Sequence, residues 1–417
     1  MKHLLLVFFS LIGFSLNAQS EWQYLPDSPT GGRIDDVFFL NEQRGWCATS
    51  DGRIWKTTDG GITWALKYSS NGYFRSIEFL DENIGYAGSL DSKFLRTTDG
   101  GDTWTNLAPS ITPIPKAVCG IAIPSAEVAY AVGQWDNPAF VLKTTDGGLS
   151  WTRQEMGNQA LALVDVFFTH PDTGFVTGQG PSGKAIILYT TDGGQSWTKK
   201  FQSESNGQYV WKIQRVTPEF WVGSIQTFNG GKFVKSFDGG QSWAEFTAPI
   251  PDMQGIGFST PEHGWVGGYI SGFYETTDGG DTWEFKQFGA NFNRFYFLNS
   301  NLAYASGAAV YKFTGGAASG TSQPGVEKPY DDGFSLKLSP NPARQFVEVQ
   351  FELPVRDNIR MGIYRADGSF VQEVYHEWQL APGSYSFKAD CSALKPGAYF
   401  LGVQRNHGLY SRPFSKL

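Results

Sequence analysis

Thr57-Thr58-Asp59-Gly60-Gly61-Ile62-Thr63-Trp64 is the stretch on which the fold turns, because the chain repeats it. Near-copies stand at Thr97–Trp104, Thr144–Trp151, Thr190–Trp197, Ser236–Trp243 and Thr276–Trp283. Their aspartates, Asp59, Asp99, Asp146, Asp192, Asp238 and Asp278, are separated by steps of 40, 47, 46, 46 and 40 residues. That period suits one four-stranded blade of a propeller. A second signature precedes each box: Gly45-Trp46-Cys47-Ala48, Gly85-Tyr86-Ala87-Gly88 and Ala129-Tyr130-Ala131-Val132-Gly133, then Gly174-Phe175-Val176, Trp221-Val222-Gly223 and Gly264-Trp265-Val266-Gly267. A seventh copy, Ala303-Tyr304-Ala305, has no box after it.

Ahead of the second signature lies an alternating apolar run such as Ile34 to Phe39, and after it a short one such as Ile54-Trp55-Lys56. Each unit reads as strands a, b and c, the box, then strand d, with turn residues between. The seventh unit runs out at Val310 to Gly316 without a fourth strand. At the other end of the chain, Glu21-Trp22-Gln23-Tyr24-Leu25 matches the run after a box, Thr103-Trp104-Thr105-Asn106-Leu107. The expectation is therefore an all-β fold: a seven-bladed β-propeller closed by the N-terminal strand, plus a small C-terminal β-sandwich. Closure leaves no unpaired sheet edge at the two ends of the ring.

The box has a mechanical reading. Its Asp carboxylate accepts backbone N–H bonds and fixes the c–d turn, the Gly pair supplies positive φ, and Trp covers apolar surface with its indole N–H seeking a carbonyl. Six identical groups repeated once per blade mark architecture rather than catalysis or calcium binding. On these residues the chain resembles the Asp-box (bacterial neuraminidase repeat) propellers. That superfamily includes sialidases, sortilin-type receptors, some xyloglucan hydrolases and the photosystem II assembly/stability factors. The pairing of a Gly-aromatic-Ala/Val-Gly strand with the box looks most like the last of these, over residues 21 to 316.

Residues 1–18 read as a secretory signal peptide: Lys2, an apolar run from Leu4 to Leu16, and Asn17-Ala18-Gln19 as the cleavage site. The apolar run is shorter than the roughly 20 residues needed to span a bilayer. The mature chain is expected to start near Gln19, with no transmembrane segment. Residues 19–316 are assigned to the propeller and 317–333 to a flexible linker, on the composition of the run from Gly315 to Gly325. Residues 334–417 hold 10 Lys+Arg and 7 Asp+Glu, against 22 and 33 in residues 19–333. The tail also has its own period. Gln345–Leu353, Ile359–Tyr364, Tyr385–Lys388 and Ala398–Val403 read as short strands separated by turns such as Ala366-Asp367-Gly368-Ser369 and Lys395-Pro396-Gly397. About seven strands suit a small sandwich. Leu338-Ser339-Pro340-Asn341-Pro342-Ala343, Ile363-Tyr364-Arg365-Ala366-Asp367-Gly368, Leu394 to Val403 and the final strand at Lys416 make this tail similar to the type A C-terminal sorting domain of the type IX secretion system of Bacteroidetes. The resemblance implies that the secretion machinery is the partner of 334–417. It also implies passage through the periplasm and across the outer membrane, with the tail removed and the protein released or held at the cell surface.

Composition bounds the rest. Fifty Gly and 14 Trp with only 18% charged residues exclude a disordered chain or coiled coil. A net charge of −7 gives no long-range attraction to nucleic acid. Five scattered His and three Cys (Cys47, Cys119, Cys391) without a CxxC pattern point to no metal and no cofactor. Cys47 and Cys119 sit in apolar runs, as small buried hydrophobes do. The sialidase resemblance would imply three arginines on a carboxylate and a Phe/Tyr-Arg-Ile-Pro motif. Gly32-Arg33-Ile34-Asp35 and Phe74-Arg75-Ser76-Ile77 are the nearest, and both lack the Pro. No GxSxG, Walker or HExxH motif occurs. Every carboxylate that aligns between units falls in a box or a turn, so the acid pair a glycosidase needs is not indicated. The reading is a secreted or cell-surface, non-catalytic binding or scaffold propeller. The alternative is a secreted glycan hydrolase without the sialidase motif. Candidate ligand residues are Arg33, Arg75, Trp211 and Arg294, at the starts of a-strands on the face opposite the boxes, with Lys116 and Lys212 beside them and the loops Gln134 to Asn137 and Gln179 to Lys184 above. Basic and aromatic groups converging there would suit an extracellular acidic glycan or protein segment.

Overall fold

A computed structural model of the chain describes residues 22–133, 139–227, 230–315, 334–353, 357–365, 370–381, 383–405 and 408–417. The leader expected at 1–18, the linker expected at 317–333, the loop Gln134 to Asn137 and the turn Ala366 to Ser369 lie outside these residues. The described residues form seven four-stranded antiparallel sheets, laid out as in a β-propeller, followed by one sheet of three strands and another of four. The seven a-strands are Ile34–Phe39, Phe74–Phe79, Gly120–Ala122, Ala162–His170, Tyr209–Arg215, Met253–Phe258 and Arg294–Asn299. Each touches the next in sequence, and the seventh touches the first. In the seventh sheet the short strand Trp22–Tyr24 pairs antiparallel with Val310–Thr314, Trp22 opposite Phe313 and Tyr24 opposite Tyr311.

The Gly-aromatic signature has a steric cause. A Cβ on Gly45, Gly85, Gly174 or Gly264 would stand 2.4–2.6 Å from the ring of Phe39, Phe79, Phe168 or Phe258, the a-strand phenylalanine paired across from it. Only glycine leaves room for that ring. The exposed ring face is then covered by the aromatic of the preceding blade: Trp46 stacks on Phe79 at 3.6 Å, Tyr130 on Phe168 at 3.7 Å, and Tyr304 of the seventh sheet on Phe39 of the first at 3.4 Å. The same aromatics donate to a carbonyl of the next box. Trp46 Nε1 reaches the Gly100 carbonyl at 3.0 Å, Tyr86 the Gly147 carbonyl at 3.3 Å, Tyr130 that of Gly193 at 3.2 Å and Tyr304 that of Gly60 at 3.3 Å. One motif thus makes the joint between blades.

The six boxes share one hydrogen-bond pattern. In the first, Thr63 N–H donates to Asp59 Oδ1 at 2.9 Å and the Thr63 hydroxyl to Oδ2 at 2.6 Å, while Gly61 N–H donates to the Thr57 hydroxyl at 2.9 Å. Both box glycines hold positive φ, 74° and 91° in the first copy. The leading Thr or Ser of the motif is as integral as the Asp, since it receives the Gly amide and donates back to Asp Oδ1 at 2.8 Å. The box tryptophan finds a carbonyl in three copies: Trp64, Trp104 and Trp243 donate to Gly61, Gly101 and Gly240 at 3.0 Å.

The tail forms two facing sheets. Ser335–Ser339, Phe346–Leu353 and Gly383–Asp390 make one; Phe370–Leu380, Asp357–Arg365, Gly397–Arg405 and Gly408–Lys416, in that spatial order, make the other. Val347, Val349 and Phe351 from the first and Ile359, Met361, Ile363, Leu401 and Val403 from the second share the core. Cys47, Cys119 and Cys391 are all buried.

Candidate functional site

Five of the a-strands carry a β-bulge near their start, breaking register at Ile34/Asp36, Phe74/Ser76, Leu163/Asp165, Val210/Lys212 and Met253/Gly255. A bulge inserts an unpaired residue and re-aims its side chain. The skipped residues are Asp35, Arg75, Val164, Trp211 and Gln254. Cys119 and Asn293 stand at the equivalent place in the other two blades, where their N–H groups reach the carbonyls of Val132 and Ser306 at 2.8 Å. This ring lies at the a-strand starts, the end of the propeller opposite the boxes.

Within it, Arg33 and Arg75 both hold Asp35 Oδ1. Arg75 does so at 2.5 Å, and Arg33 also donates to the Tyr73 hydroxyl at 2.8 Å. Arg75 reaches Gln254 Oε1 at 3.3 Å and lies 4.7 Å over the Trp211 ring. It therefore spans from the second blade to the fifth and sixth. Arg33 lies 4.7 Å over Tyr269, whose hydroxyl accepts from Gln254 Nε2 at 3.2 Å. Trp211 donates to Gln226 and stacks on Tyr209. Arg33, Arg75, Trp211 and Asp35 are buried, Asp35 fully. Two guanidiniums against one carboxylate leave this cluster with an excess positive charge.

The next ring holds Asp36, Asp165, Lys212 and Arg294. Arg294 bridges Asp36 and Asp165 at 3.5 Å each, and Lys212 meets Asp165 at 3.3 Å. The two aspartates do the same work: Asp36 Oδ2 accepts Ile77 N–H and Asp165 Oδ2 accepts Ile213 N–H, both at 3.1 Å, each stitching its blade to the next. Glu78 stands beyond them. Burial pushes its carboxyl up to about 8 against the pull of Arg294, with Asp36 and Asp165 adding to the rise. The structure thus brings Arg33, Arg75 and Trp211 together at one level of the axis and puts Arg294 and Lys212 one level deeper.

The expectation that aligned carboxylates fall only in boxes and turns is corrected here. Asp35, Asp36, Glu78 and Asp165 all lie on a-strands and face the axis. The local signal was present: a charged residue near the start of an otherwise apolar strand, as in Ile34-Asp35-Asp36-Val37-Phe38-Phe39, has no reason to be there unless a partner meets it inside. Among the described residues, no group of three or more His, Cys, Asp or Glu is placed to hold a metal ion.

Three family descriptions match parts of this architecture. Photosynthesis system II assembly factor YCF48 matches residues 15–151 and BNR/Asp-box repeat matches 188–199. Secretion system C-terminal sorting domain matches 337–414. The chain thus resembles Asp-box propellers over its repeats and secretion-system sorting domains over residues 337–414. No curated protein matches it. Among solved structures, it is similar to YCF48 bound to D1 peptide, at 20% identity and a TM-score of 0.56, over 72% of this chain and 98% of that one. It is similar too to PorZ, a surface component of the type IX secretion system of Porphyromonas gingivalis, at 12% identity and TM-score 0.53, over 94% and 60%. The GH74 enzyme of Niastella koreensis gives 13% identity and TM-score 0.56 over 94% and 67%. At these identities the likeness is one of fold.

Proposed function

We propose that this is a secreted or cell-surface, non-catalytic binding propeller exported by the type IX route, whose ligand meets the a-strand starts opposite the boxes. The observation that carries the reading is the paired guanidinium cluster of Arg33 and Arg75 on one Asp35 oxygen, with Trp211 and Tyr269 stacked on it. An uncompensated cation beside aromatic faces suits a carboxylate-bearing ligand, an acidic glycan or an acidic protein segment. The solved YCF48 relative holds a peptide, which favours the protein segment. In this reading Arg33, Arg75, Trp211 and Arg294 form the ligand end of the axis, and the six box aspartates are architectural. The ring closes through the N-terminal strand. The mature chain divides into a propeller at 19–316, a linker at 317–333 and a sorting domain at 334–417, after a leader at 1–18 and periplasmic transit.

A second reading, glycan hydrolysis, is favoured by one observation: a carboxyl raised to about 8 at Glu78 near two aspartates, an arrangement that separates acid from base. Against it, Asp36 and Asp165 are already engaged by Arg294 and by the backbone amides of the neighbouring blade. The test is an array of acidic glycans and acidic peptides probed with the full mature chain, with product release measured on every hit. Saturable binding without turnover, lost in Arg294→Gln, supports the proposal. Product release, or the absence of saturable binding to any acidic probe, overturns it.

A further inference from the structure

The two ends of the sorting domain meet in space. Asn341 Oδ1 accepts Ser415 N–H at 2.9 Å, and its amide donates to the Pro413 carbonyl at 3.3 Å. Ala343 N–H donates to the Ser415 carbonyl at 2.7 Å, and the Ala343 carbonyl accepts Leu417 N–H at 2.9 Å. The segment entering the domain therefore clamps the last residues of the chain, more than 70 positions later. Among the described residues, Ser335–Ser339 is an edge strand, paired on one side only, with Phe346–Leu353. Where this edge faces the final strand there is a groove of about 520 Å³, walled by Leu336, Lys337, Leu338, Asn341, Arg412 and Pro413. Leu336 is buried and Leu338 half-buried, whereas Lys337 and Arg412 are exposed. Arg412 Nε donates to the Leu336 carbonyl at 3.3 Å, which points its guanidinium along the groove. Among the described residues no carboxylate lines it; Glu348, on the neighbouring strand, is bonded to Gln350 and Ser386.

We infer that this groove is a docking site for an extended acidic segment of a partner protein on the export route. The segment adds to the free edge of Ser335–Ser339, its carboxylates meeting Arg412 and Lys337 and its apolar residues covering Leu336 and Leu338. An edge strand supplies main-chain partners and alternate side chains set the specificity; the two cations choose an acidic sequence. The clamp of Asn341 holds both walls in place before binding, which lowers the ordering cost. The site lies wholly in the sorting domain and stands apart from the propeller's ligand.

The test uses the full chain and two fluorescein-labelled hexapeptides, one alternating Leu and Glu, the other Leu and Lys. The Glu peptide is expected to bind saturably and more weakly as salt is raised. In the double variant Lys337→Glu, Arg412→Glu its affinity should fall about tenfold or more while the Lys peptide gains affinity. Because both side chains are exposed, the fold should stay intact, with at most the small loss carried by the Arg412 bond to the Leu336 carbonyl. Equal binding of the Glu peptide to wild type and double variant overturns the proposal, as does a loss of binding in Arg294→Gln, which would place the site on the propeller. Binding of both peptides alike would leave apolar contact alone as the cause and overturn the acidic specificity.

Discussion

Replacing Trp22 by Ala probes how the ends of the propeller are joined. Trp22 belongs to a three-residue strand, yet its side chain is only 2% exposed. Its ring packs edge-on against Trp265 and Phe295 at 5.5 Å and lies tilted against Phe313 at 5.3 Å. Truncating a buried Trp costs about 3–5 kcal/mol, in line with roughly 150–250 Å² of ring surface at about 25 cal/mol per Å². A propeller of this size unfolds with an entropy of roughly 0.6 kcal/mol per degree. The propeller transition should therefore fall by about 5–8 °C in differential scanning calorimetry of the full chain. Trp104→Ala is the internal control, because the sequence match puts Trp104 in the same place within the second blade, where it is half-buried. The Trp22 variant should lose more. If it loses less than the control, or shifts by under about 1 °C, the N-terminal strand does not complete the seventh sheet's core and the reasoning fails.

Asp35→Asn strips the shared counter-charge from Arg33 and Arg75 and should cost about 3–5 kcal/mol in denaturant unfolding; a loss within experimental error would mean the cluster is solvated. Tyr304→Phe removes donation to the Gly60 and Glu42 carbonyls at the joint of seventh and first blades, and about 0.5–1.5 kcal/mol should be lost with the fold intact. The Thr103 hydroxyl and amide hold the Asp99 carboxyl down to about 2, and Ser196 does the same for Asp192. The stabilisation they give is complete above the ordinary carboxylate range and is lost as pH falls from about 4 to 2. Asp99→Asn with Asp192→Asn should flatten that limb of a melting-temperature profile. Glu78 works in the opposite sense. Its folded form keeps the proton while the unfolded chain has lost it, so stability declines from about pH 4.5 to about 8 and then levels. Glu78→Gln should raise the melting temperature at pH 8 relative to pH 5; an unchanged slope would show that Glu78 is ionised in the native state.

Fold and site differed in how far they could be read in advance. The boxes and the Gly-aromatic strands recur at short, regular spacing, and each is explained by contacts within one hairpin or with the adjacent blade. Their count and order are accordingly legible, and Ile34–Phe39 is a strand at the residues expected. The axial cluster carries no such spacing. Arg75 meets Asp35 across 40 residues and Gln254 across 179, and each charge looks, in its own strand, like an isolated exception to an apolar pattern. The sequence marks Arg33, Arg75, Trp211 and Arg294 as candidate ligand residues, but it does not show that Arg33, Arg75 and Trp211 are buried against partners from other blades.

The sequence by itself determined the blade, the number of repeats and the separate character of the tail, because backbone turns, glycine sterics and strand alternation act over a few residues and leave a periodic trace. Only the tertiary structure decided which charges pair at the axis and that Asn341 grips Ser415 and Pro413. Those contacts arise from ring geometry and sheet facing, which bring distant residues together without asking for any pattern along the chain.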